Sequence, residues 1–212
     1  MAIGSSSSAL GGGAPLNPFS VGFHAPGELD YRFPGSASVD GLLAHLHAGR
    51  EGQVVGAPGT GKSTLLFSIG RAAAARGFEL VQLRADRCPE LALPVERPGE
   101  HPPVLLCLDE ADALGRRALR RVRDLCRARS ALLLAATHRD LGLPLGHECR
   151  VDAELATALA TLVLARSPAA LPLVAPGEAR PALEQSRGNM RQALLLMYDW
   201  YEARWAAAAR SR

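Results

Sequence analysis

The residues Gly56-Ala57-Pro58-Gly59-Thr60-Gly61-Lys62-Ser63 constrain this chain more than any other stretch, because they fill every fixed position of the pattern GxxxxGK[ST]. The glycines let the backbone curl until successive N–H groups face one point, and a helix starting at the lysine adds its positive N-terminal end. The product is a phosphate cradle. An apolar run before the loop (residues 53–56) reads as a short strand, and residues 62–76 read as an amphipathic helix stopped by Gly77. Of 24 basic residues, Lys62 is the one lysine and the other 23 are arginine. That excess, with abundant alanine, glycine and proline, fits a GC-rich coding sequence and weakens any one arginine as evidence. It strengthens Lys62, because a guanidinium does not replace a compact ammonium.

Downstream, apolar runs and helical patterns alternate. Residues 78–84, 104–109 and 131–136 read as strands, residues 115–129 as a helix, and residues 149–151 as a fifth strand. Residues 86–103 carry five prolines and read mainly as a loop or weak helix. Such alternation predicts an α/β fold with a parallel sheet covered on both faces. After His147 the pattern becomes helical, over residues 152–167, 177–187 and 189–210, with a proline-rich link at 168–176. Upstream, Ser38-Val39-Asp40 starts a helix whose stripe is Leu42, Leu43 and Leu46. We therefore expect a flexible tail over residues 1–16, a body over 17–151 and a helical lid over 152–212.

Several function classes fall away on composition. A chain of 212 residues that is 48% hydrophobic and 21% charged has enough apolar material for a core without metal or disulfide staples. Its uncharged runs in the body are far shorter than the ~20 residues of a membrane span, and residues 1–13 lack the basic start of a secretory signal. No membrane association is expected. Cys88, Cys107, Cys126 and Cys149 are spaced 19, 19 and 23 apart with no CxxC pair, which argues against zinc and for reduced, buried thiols in a cytoplasmic protein.

Val104-Leu105-Leu106-Cys107-Leu108-Asp109-Glu110 forms the second half of a nucleotide site, its carboxylates beginning 47 residues after Lys62. Lys62 would reach the β- and γ-phosphates, while Ser63 and Asp109 would hold Mg²⁺. Glu110 is the candidate general base for an attacking water. The fourth strand ends at Thr137-His138. If that strand lies beside the first, Thr137 is placed to touch the γ-phosphate or the water; otherwise its hydroxyl caps the strand-end turn. The letters Asp-Glu-Ala-Asp also occur in a class of helicases, but those need two sheet domains and this chain has room for one.

Taken together, the loop, the Leu-Asp-Glu strand, the polar end of the next strand and the helical tail resemble an AAA+ ATPase. The resemblance implies a P-loop NTPase three-layer sandwich with a parallel sheet, followed by a small helical lid, and ATP with Mg²⁺ as ligands. The nucleotide-binding set becomes Gly56, Ala57, Pro58, Gly59, Thr60, Gly61, Lys62, Ser63 and Thr64. Gly188-Asn189-Met190-Arg191 is similar to the start of the lid helix in clamp loaders and replication initiators, which makes Arg191 the candidate γ-phosphate sensor. Asn17-Pro18-Phe19 resembles the entry segment of general-secretion and transposition-regulator ATPases, and the segment from Phe19 to Tyr31 is the candidate adenine wall. This chain departs from the family between the fourth and fifth strands, where only about a dozen residues remain. An arginine finger is not identifiable there, although Arg139 and Arg150 are present, so an oligomer stays open.

Residues 115–129 hold seven arginines. On a helix Arg116, Arg120, Arg123 and Arg127 share one side, opposite Leu119, Val122, Leu125 and Cys126. The strip reads as a solvated face, as a contact for DNA phosphates, or as a contact for an acidic protein. No aromatic interleaves with it, so base stacking has no support. The functional expectation is an ATP-hydrolysing AAA+-type switch, acting on DNA or a DNA-bound complex. The alternatives are a nucleotide-loaded scaffold with little hydrolysis and a phosphotransferase with a small acceptor.

Overall fold

The computed structural model describes residues 17–20, 27–90, 102–166 and 173–211. The expected tail over 1–16, most of the link at 168–176 and the greater part of the proline-rich stretch lie outside them. Five parallel strands are β1 (Glu51–Val55), β2 (Glu79–Arg84), β3 (Val104–Asp109), β4 (Leu132–Thr137) and β5 (Leu145–Glu148). Their order is β2-β3-β4-β1-β5. Placing β4 between β1 and β3 pairs Val55 with Thr137, so the end of β4 lies beside the start of the phosphate loop.

The helices of the body are α1 (Val39–Gly49), α2 (Lys62–Ala74) and α3 (Arg116–Ala128). Ser38 caps α1 by accepting from the Gly41 N–H. Strand periodicity divides the core into two layers. Leu105, Cys107, Leu132, Leu134 and Ala136 face α1 and α2, meeting Leu42, Leu46, Leu65 and Ile69. Val104, Leu106, Leu108, Leu133 and Ala135 face the other way, onto Val122 and Cys126 of α3. Each such leucine contributes about 1.5–3 kcal/mol on burial. That is why β3 and β4 are continuous apolar runs.

The tail folds as α4 (Ala153–Ala165), α5 (Ala179–Gln185) and α6 (Met190–Arg210) around a third core. Asp152 caps α4 through the Leu155 N–H, and Asn189 caps α6 through the Gln192 N–H. Phe19 is fully buried in this core, beside Ala156, Met197 and Tyr201, rather than in the nucleotide cavity. Asn17 donates to the Tyr198 carbonyl (3.0 Å) and to Glu202 Oε1 (2.8 Å), so the Asn-Pro-Phe segment fastens α6.

Strand β5 also differs from its expected position at residues 149–151. Its residues are Leu145–Glu148, and its pairing with β1 shifts register between Gln53 and Val54. An edge strand with exposed Leu145 and Glu148 has no apolar run to announce it. Cys149 still donates its N–H to the Val55 carbonyl (2.7 Å). Among the described residues, no helix is long and apolar enough to cross a membrane.

Candidate functional site

β1 ends where the phosphate loop begins, and α2 begins where it ends, so the loop is held at both ends by the core. Gly59 and Gly61 adopt φ of 75° and 93°, a left-handed geometry that turns the backbone toward one point and disfavours residues with a Cβ. The Tyr31 ring packs against Gly61, and the Asn189 side chain packs against Gly59. Thr60 Oγ1 closes the turn by donating to the Ala57 carbonyl (2.8 Å). Lys62 Nζ donates to the carbonyls of Gly56 (2.7 Å) and Ala57 (2.9 Å) and is only 7% exposed. Burial lowers its pKa from the ordinary lysine range, while the carboxylates of Asp109, Asp112 and Glu110 pull the other way.

The loop opens on a cavity of about 300 Å³. Residues 58–64 line its floor, Asp109, Glu110 and His138 one flank, and Leu29, Asp30, Tyr31 and Arg32 another. The lid completes it with Leu155, Leu159, Met190, Arg191 and Leu194. Polar groups thus gather at the loop end and apolar ones at the lid. This is the division a ligand with a phosphate tail and a flat ring would meet.

Ser63 Oγ donates to Asp109 Oδ2 at 2.7 Å, which brings the two expected Mg²⁺ ligands together. The other Asp109 oxygen accepts from the Glu110 N–H (2.9 Å). Glu110 itself has φ 55°, and its carboxylate takes a hydrogen bond from Arg84 Nη2 at 2.8 Å. Arg84 ends β2 directly across from Asp109, a neighbour visible only once the pairing of β2 with β3 is known.

Thr137 is fully buried. Its hydroxyl donates to the Arg139 carbonyl (2.7 Å) and accepts from the Arg139 N–H (3.2 Å), which is the turn-capping geometry. The next residue, His138, lines the cavity instead. Its Nδ1 lies 3.1 Å from Asp112 Oδ2, and its N–H donates to Asp112 Oδ1 (3.2 Å). Burial raises the Asp112 pKa, but these bonds outweigh it and hold the carboxyl below its usual range. Arg139 donates to the Asp112 carbonyl (3.2 Å), and Arg150 pairs with Glu148 (2.7 Å).

Behind the loop, the Tyr31 hydroxyl lies 3.1 Å from His147 Nε2, and Phe33 stacks edge-on against both rings. Burial drives the Tyr31 phenol far above its ordinary range and lowers the His147 pKa. Both stay neutral near pH 7.

No protein-family model and no curated protein matches the sequence. Solved structures do match by fold. One is a DNA replication initiation factor, at 17% identity and TM-score 0.58, covering 81% of this chain and 62% of that one. Another is the replication initiator DnaA bound to AMPPCP and single-stranded DNA, at 16% identity and TM-score 0.52, covering 74% and 59%. AMPPCP-bound DnaA from Aquifex aeolicus matches at 17% and 0.52, covering 76% and 61%. The chain thus spans about three fifths of the length of each. Its five parallel strands and flanking helices share the α/β fold of these structures.

Proposed function

We propose that this chain is a Mg²⁺-dependent, ATP-hydrolysing molecular switch, with nucleotide held between the α/β body and the helical lid. The observation that carries the reading is the convergence of Lys62, the Ser63–Asp109 pair and the lid residue Arg191 on one cavity. The match to DnaA structures that hold AMPPCP supports ATP as the nucleotide.

Lys62 exchanges its two loop carbonyls for β- and γ-phosphate oxygens, and the N–H groups of residues 59–63 surround the β-phosphate. The Ser63 hydroxyl and the Asp109 carboxylate are hard oxygen donors, the type that suits Mg²⁺, and they would hold it beside the phosphates. When bound, that ion supplies positive charge against the charge developing on the γ-phosphate. Glu110 leaves Arg84 to take a proton from the attacking water. His138, held through Nδ1 by Asp112, has its other ring nitrogen free to accept a hydrogen bond from the attacking water and so orient it, a role the sequence suggested for Thr137. Arg191 adds a guanidinium from the lid and couples lid position to the presence of the γ-phosphate.

The Arg84–Glu110 contact supports a second reading, a nucleotide-loaded regulator that turns over slowly until a partner displaces Arg84. DNA is the partner class for either reading, supported by the DnaA match that carries single-stranded DNA.

Calorimetric titration with Mg-ATP tests the site. Lys62→Ala should weaken binding by about 10–100-fold, the worth of losing charge-assisted bonds to phosphate, with the fold retained. Unchanged affinity in a folded variant contradicts the phosphate-cradle reading.

A further inference from the structure

The seven arginines at and around α3 do not form one strip. Glu51, at the start of β1, takes a two-pronged contact from Arg123 (Nε 2.9 Å, Nη2 2.5 Å) and a third bond from Arg127 (3.3 Å). Asp124 lies 3.5 Å from Arg127 as well. Those two guanidiniums serve to fasten α3 to the sheet. Arg116, Arg117, Arg120 and Arg121, at the other end of the helix, are all exposed. Among the described residues their side chains have no ion pair or hydrogen bond.

At 100° per residue, the four sit at about 0°, 100°, 40° and 140° around the helix axis, within about 7.5 Å of axial rise. The buried residues Leu119, Val122 and Cys126 fall near 300°, 240° and 280° by the same count, so the four point away from the sheet. This arrangement opposes helix stability. The first turn carries no acidic residue, and Gly115 provides no side-chain cap. Cations at the positive end of the helix dipole repel it, and Arg116 with Arg120 and Arg117 with Arg121 are like-charge pairs at i,i+4. A rich supply of arginine codons accounts for arginine in place of lysine. It does not account for four unneutralised cations at the helix end that disfavours them, next to two that are neutralised.

We infer that Arg116, Arg117, Arg120 and Arg121 form a contact surface for the phosphate backbone of duplex DNA. Phosphates supply the negative charge this end of the helix lacks. Duplex is chosen over single strand because α3 contains no aromatic side chain on which an unpaired base would stack. Recognition through phosphates alone is tolerant of sequence. The inference rests on DNA as the partner class proposed above, and names the surface that meets it. None of the four residues lines the nucleotide cavity.

The test uses the full chain and a random-sequence duplex, with affinity measured between about 50 and 200 mM salt. Four phosphate contacts predict a log–log salt slope near −3.6, so affinity falls about 150-fold over that range. Changing all four arginines to glutamine should bring the slope close to zero with ATP affinity kept and the melting temperature unchanged or raised, because the repulsion at this end of the helix is removed. Changing Arg123 and Arg127 to glutamine should lower the melting temperature and leave the slope unchanged. Wild-type protein that binds no duplex overturns the inference, and one that binds neither duplex nor single strands overturns DNA as the partner class as well. Duplex binding that survives the fourfold change, or that is lost equally in the Arg123/Arg127 variant, overturns the inference alone. Tighter binding to single strands overturns the choice of duplex, and capture of an acidic polypeptide without duplex binding assigns the surface to a protein.

Discussion

Glu51→Gln isolates the contact that separates structural from exposed arginines on α3. The Glu51 side chain is 16% exposed and that of Arg123 28%. Its two oxygens receive three bonds, two of them from the Arg123 fork. Removing the charge leaves a guanidinium facing a neutral amide in a partly dry place. Hydrogen bonds to charged groups contribute about 1.5–3 kcal/mol, and the residual exposure of Arg123 puts this one at the lower end, about 1.5–2 kcal/mol. For a chain of this length that corresponds to a fall of about 3–8 °C in melting temperature near pH 7. The pH dependence has a definite sign. The hydrogen bond from Arg123 lowers the Glu51 pKa below its ordinary 4.5, against the opposing effect of burial. The stabilisation is therefore complete above the unfolded value and disappears as pH falls through the lower folded value. Thermal melts of both proteins from pH 7 down into acid should show the full gap at pH 7 and a gap that narrows steadily as pH falls below the ordinary 4.5. Equal melting temperatures at pH 7, or a gap that persists unchanged in acid, would refute this account of α3.

The remaining predictions concern the cavity. Arg84→Ala releases Glu110 from a pair whose side chains are 60% and 47% exposed, so the contact is worth about 0.2–1 kcal/mol. Basal ATP turnover should rise about 1.4- to 5-fold, and a tenfold loss would instead make Arg84 part of the catalytic set. Gly59→Ala forces an alanine into φ 75° and puts its Cβ 1.9 Å from Asn189 Oδ1, the group that caps α6. The strain and the lost cap together should cost about 2–3 kcal/mol in melts, and Asn189→Ala in the same protein should cost less than the sum of the two single changes.

The central features were legible where a single pattern carries a geometry. GxxxxGK[ST] between a strand and a helix located the loop, and the runs Val104–Leu108 and Ala131–Ala136 announced buried strands because both of their faces are covered. Ser38 opened a helix by residue type and caps α1 through the Gly41 N–H. The remainder depended on contacts between segments far apart in the chain. Arg84 lies 26 residues from Glu110 and meets it only through the β2–β3 register. Glu51 and Arg123 are 72 residues apart, so the helical wheel of α3 could not say which arginines were already paired. Phe19 joined the lid because Asn17 is bonded to α6, 181 residues away in the chain, a contact that local composition does not encode. Thr137 and His138 are neighbours with opposite orientations. The strand's alternation buried the first and left the second at the cavity, and a strand end blurred by one residue hid the distinction.

The most direct test of the switch reading is phosphate release from ATP, with and without Mg²⁺, by the wild-type protein and by Glu110→Gln, alongside the ATP affinity of each. The wild type should release phosphate only with Mg²⁺. Glu110→Gln should bind ATP with nearly wild-type affinity and turn over about 10²–10⁴-fold more slowly, since an amide orients water but takes no proton. A wild type that binds ATP and releases no phosphate, or a variant that turns over at the wild-type rate, would contradict it.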